Sequence, residues 1–64
     1  MNKTKGTYFY RIVYSPDDGG HYAEVWDDTG HDVDFNGHIF PLAVEAQNEV
    51  IYWIDQQGYS ALPR

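Results

Sequence analysis

The stretch TYFYRIVYSPDDGGHYAEVWD, residues 7–27, decides the fold. Its first half is aromatic and β-branched with no breaker, which reads as a strand. SPDDGG (15–20) then sets Pro, Asp and Gly in the order that turns use them. Strand character resumes at HYAEVWD, so residues 7–27 read as a β-hairpin. Alternation along the two arms predicts Phe9, Val13, Ala23 and Val25 on one face, suited to a packed helix. It predicts Tyr8, Tyr10, Ile12, Tyr14, Tyr22 and Trp26 on the other, a stripe too aromatic for an ordinary solvent face.

Downstream, DDTG (27–30) is a second turn and HDVDF (31–35) a third strand. Asn36-Gly37 between apolar neighbours is a strong hairpin signal, because both residues tolerate the positive φ of a type I′ turn. Such a turn sets Phe35 opposite His38 and Val33 opposite Phe40. From Pro41 the period changes to that of a helix over 41–57, with Ala43, Ala46, Val50, Trp53 and Ile54 as its apolar stripe. Leu42 and Ile51 border that stripe. Pro41 suits the first helical position, Glu45 the first turn, and Gly58 the stop. The reading is one α+β domain spanning 1–64: a disordered start (1–6), the hairpin, the third strand and Asn-Gly turn (31–40), the helix, and a tail (58–64). Its core architecture is an antiparallel β-meander of three or four strands packed on one C-terminal α-helix.

A chain of 64 residues without cysteine has neither disulfide nor zinc–thiolate staple, so burial of its two Trp, six Tyr and three Phe must hold it together. Apolar runs are too short to span a bilayer, and the polar NKTKGT after Met1 does not resemble a secretory signal, so a cytoplasmic protein is expected. Charge is the most unusual feature. The net charge is −6; all ten carboxylates lie between Asp17 and Asp55, and no Lys or Arg occurs between Ile12 and Pro63. Such a domain repels nucleic acid and anionic membranes and attracts basic protein surfaces.

Few residues carry reactive chemistry. DVDFNGHI (32–39) resembles the start of a calcium loop through Asp32, Asp34, Asn36, Gly37 and Ile39. The twelfth position, which needs a bidentate carboxylate, is Ala43. The stretch therefore reads as a turn, with Asp32, Asp34 and Asn36 as its metal candidates. His21, His31 and His38 lack the spacing of a zinc signature, and neither Ser15 nor Ser60 sits in a nucleophile elbow. Asp17-Asp18 and Asp27-Asp28 are adjacent pairs in turns, not acids facing across a cleft. No enzyme activity and no cofactor are expected.

One family resemblance appears in residues 8–30. YRIVYSPDDGGHYAEVWDDTG resembles the first hairpin of HicB-type antitoxins, with Gly19, Gly20, Ala23, Val25, Asp27 and Gly30 at matching spacings. A helix with a Trp near its end follows, as AVEAQNEVIYWI does here. Trp26 stands where that family usually has Pro, and GHIF replaces its Gly-Asp-Thr. The resemblance implies a partial ribonuclease-H-like β-β-β-α-β unit that binds and blocks a small basic toxin.

Two classes of function follow. The first is a small acidic inhibitor covering a basic, nucleic-acid-binding surface of a partner protein such as a nuclease, as antitoxins and phage DNA mimics of the anti-CRISPR kind do. Its contacts would come from Tyr10, Tyr14, Asp17, Asp18, Tyr22, Trp26, Asp27, Asp28, Asp32 and Asp34, with no direct contact to nucleic acid. The alternative is a metal- or small-ligand-binding module using Asp32, Asp34, Asn36 and His38. The exposed aromatic stripe further suggests a homodimer.

Overall fold

In the computed structural model, which describes residues 4–64, the hairpin forms as β1 (Thr7–Ser15) and β2 (Gly20–Trp26). The helix α1 covers Ala43–Gln56, and the tail forms a short strand, β3 (Ser60–Pro63). The sheet order is β2-β1-β3. β1 and β2 are antiparallel; β3 lies parallel to β1, pairing Thr7 with Ser60 and Phe9 with Leu62. The α+β architecture with one helix near the C-terminus is the one expected, but the sheet is mixed rather than wholly antiparallel. A parallel return is reached because α1 carries the chain back along the sheet before β3 begins. Residues 1–3 of the expected disordered start lie outside the described residues. Residues 5 and 6 are tied down: Lys5 N–H donates to Gly58 O at 2.7 Å, and Gly6 O accepts from Ser60 N–H at 2.9 Å.

The hairpin register corrects the expected faces. Tyr10 pairs with Val25, Ile12 with Ala23 and Arg11 with Glu24. Val25 and Ala23 therefore share a face with Tyr10 and Ile12, not with Phe9 and Val13. That face packs on α1: Tyr10 and Val25 are buried with Val50 and Ile54, and Tyr8, Ile12 and Ala23 pack around them. Along α1, Ala46, Val50 and Ile54 recur every four residues and are buried. Leu42 and Ala43, expected at or beside the apolar stripe, are exposed. The far end of α1 is fixed by rings. Tyr8 stacks on Tyr59 at 3.9 Å between centroids, and Trp53 lies 4.9 Å from Phe35.

Helix boundaries follow local chemistry. Leu42 is the N-cap, so Pro41 precedes the helix rather than opening it. Glu45 accepts the Leu42 N–H at 3.2 Å, one half of a capping box. At the other end Gly58 has φ +88° and, with Tyr59, returns bonds to Asp55 O and Ile54 O. That is a Schellman stop, as the glycine suggested.

The third strand and the Asn-Gly hairpin are absent. Residues 31–40 form a strap along the free edge of β2, bridged to it at only two points: Asp32 opposite Trp26, and Phe40 opposite His21. The strap uses more residues than β2 between the same two points, so it must arch away. Gly37 has no positive φ, which excludes a type I′ turn. Two interactions draw the arch toward the helix: Val33 and Phe35 pack on the core, and Glu49 accepts both the His38 backbone N–H at 2.9 Å and its ring Nδ1. Val33 and Phe40 do not face each other; each bonds β2, near opposite ends.

Candidate interaction surfaces

Two surfaces result: an acidic edge and an outer sheet face. The edge begins at the Asp27–Gly30 turn. The Asp27 carboxylate accepts from Thr29 N–H at 2.9 Å, Thr29 Oγ1 at 2.7 Å and His31 N–H at 3.0 Å. The Thr29 hydroxyl bond, and next the His31 backbone bond, hold the Asp27 carboxyl below its ordinary range. Asp27 is thus an ionised turn-former. Asp18 is likewise engaged, accepting from Ser15 Oγ at 2.8 Å. Glu24 pairs with Arg11 at 2.7 Å, so the acids do not all lack countercharge. Glu45 and Glu49 serve the helix start and the strap. Among the described residues, Asp17, Asp28, Asp32, Asp34 and Asp55 remain without a side-chain hydrogen bond or ion pair. Asp28, Asp32 and Asp34 follow one another along the β2 side of the molecule, and all three are exposed.

The outer sheet face carries Phe9, Arg11 and Val13 from β1, and Tyr22, Glu24 and Trp26 from β2. Arg11 lies 5.6 Å and Arg64 4.2 Å from the Trp26 ring. The third described cation, Lys5, is 5.9 Å from the Tyr59 ring. All three positive groups therefore sit over aromatic faces, where the ring quadrupole attracts them. Beside Arg64, a depression of about 240 Å³ is lined by Phe9, Trp26, Asp27, Asp28 and Gly30.

The expected aromatic stripe is divided by the register. Tyr10, expected at an interface, is 7 % exposed and belongs to the core. Tyr14 is exposed, on the helix side of the sheet, with its ring 5.1 Å from His21. Tyr22 and Trp26 do lie on the uncovered face. Phe9, Leu62 and Arg64 also belong there and were not foreseen. The tail widens the sheet through β3, and of its side chains Arg64 reaches over the Trp26 ring on this face.

The histidines are separated. His21 Nδ1 is buried without a hydrogen-bond partner, His31 bonds Thr29, and His38 bonds Glu49. Among the described residues, no three His, Asp or Glu side chains gather as a metal site. Asp32 is held at a bridge to Trp26, while Asn36 lies in the arch. No described helix is long and apolar enough to cross a membrane. No family model, curated protein or solved structure matches this chain.

Proposed function

We propose that this protein is a small, non-enzymatic, acidic interaction module of the cytoplasm that covers a basic, nucleic-acid-binding surface of a partner protein. The observation that carries this reading is the sorting of charge. Asp28, Asp32 and Asp34 are exposed along one edge without a side-chain hydrogen bond or ion pair among the described residues, while Lys5 and Arg11 lie over aromatic rings and Arg64 lies over Trp26 at the Asp28 end of that edge. A row of free carboxylates on a two-layer scaffold offers a basic groove what a phosphate backbone offers: negative charge at short intervals. The antitoxin-like form of this role rests on the resemblance in residues 8–30. The DNA-mimic form rests on charge alone.

Within this reading the edge carries more of the binding than the hairpin tip. Asp18 and Asp27 are committed to their own turns, which leaves Asp28, Asp32 and Asp34 as the contact groups, with Asp17 at the far end. The test is affinity capture from source-cell lysate with the tagged protein, followed by competition. A basic protein released by added double-stranded DNA or RNA is expected. Captured proteins that nucleic acid fails to displace would contradict the proposal.

A further inference from the structure

We propose that the outer sheet face is the contact of a homodimer, and that the Arg11–Glu24 pair sets its symmetry. The face is built in three rows across the hairpin: Phe9 beside Trp26, Arg11 beside Glu24, and Val13 beside Tyr22. The charged row is the central one, and each flanking row is apolar or aromatic. A two-fold axis running parallel to the strands, between β1 and β2, exchanges the two members of every row. It sets Arg11 over Glu24 of the second copy, Phe9 over the Trp26 ring with the Arg64 guanidinium that lies on it, and Val13 over Tyr22. An isologous contact needs this self-complementarity, and stacked sheets aligned within about 30° at about 10 Å supply the geometry.

The same operation carries β3 of one copy over the strap of the other. Leu62 then approaches the Asp32 end of that strap, while the Arg64 guanidinium stays over the Trp26 ring of its own chain. Elsewhere the surface is predominantly acidic, and two copies of net charge −6 repel. The outer face is where acid and base alternate, so it is where like copies can meet. Arg11 and Glu24 both keep exposed side-chain surface, 58 % and 37 %, and are available for a second partner. Leu62 is 48 % exposed and half of its apolar surface gains cover. Nucleic acid fits the face poorly, since it would meet Glu24 in the centre and Asp27 and Asp28 at one end.

The face is small. Four chain segments about 4.8 Å apart and some 20 Å long give roughly 400 Å² in projection per copy, well under the ~800 Å² of a standard interface. The dimer is therefore expected to be weak, with a Kd on the order of 10–100 μM. Sedimentation equilibrium from about 5 μM to about 1 mM covers that range. Arg11→Glu sets two carboxylates against two and should weaken association at least about tenfold. Arg11→Glu with Glu24→Arg rebuilds both the pair within each chain and the pair across the axis. It should restore the parent Kd to within about threefold, which separates interface geometry from damage to the fold. A strict monomer at 1 mM overturns the proposal and leaves the face to a different partner. So does a dimer indifferent to Arg11→Glu, or a double variant that fails to recover.

Discussion

At the scale of single residues, the acids divide by whether the fold uses them. Asp27 is used: its Oδ1 gathers Thr29 N–H, the Thr29 hydroxyl and His31 N–H, closing the turn after β2. Its pKa is lowered on folding, so the sign of the linkage is set. Stability from the ionised form is present above the unfolded value and is lost as pH falls through the folded value. Asp27→Asn should thus lower the melting temperature at neutral pH, and the gap from the parent should close as pH falls below the ordinary aspartate range. Melting curves across that range check this, and a pH-independent gap would contradict it. The single-residue reading that failed, Tyr10 as an interface residue, failed through phase. Alternation separated inward from outward positions within each arm, but did not fix the arms relative to each other. Arg11 and Glu24 held that information, since opposite charges across a hairpin pair directly, and pairing them brings Tyr10 opposite Val25.

At the scale of elements, the hairpin, the helix and its Gly58 stop were legible because each depends on local chemistry. The strap was not. Asn36-Gly37 carries a hairpin signal, yet the chain from 31 to 40 answers to three distant groups: the edge of β2, the ring of Trp53 and the carboxylate of Glu49. The glycines explain the difference. A Cβ on Gly37 would lie 2.6 Å from both Glu49 Oε1 and the Phe35 ring, and one on Gly20 would lie 2.7 Å from Phe40 O. At Gly20 the strap backbone crosses too close for a side chain, and at Gly37 the Phe35 ring and the Glu49 carboxylate fill the space one would take. Gly37→Ala should therefore destabilise by about 1–3 kcal/mol through crowding, although its backbone conformation suits alanine. Chemical denaturation measures this. An unchanged midpoint would mean that the strap is not clamped between Phe35 and Glu49. The parallel β3 was also beyond reading from SALP alone, since four residues do not show which edge they join.

At the scale of the whole molecule, charge and apolar surface are sorted to different places: free carboxylates along the strap edge, mixed charge and rings on the outer sheet face. The net charge was plain in the composition, but its placement depended on which acids the turns and helix engage. The central claim is that the free acids of the edge bind a basic partner. The direct measurement is the affinity of the captured partner for the parent and for Asp28→Lys/Asp32→Lys/Asp34→Lys, from about 50 to about 300 mM salt. The parent should lose about tenfold in affinity over that range, and the reversed variant should bind weakly with a flat response. Equal affinities and equal salt slopes for the two proteins would contradict the account.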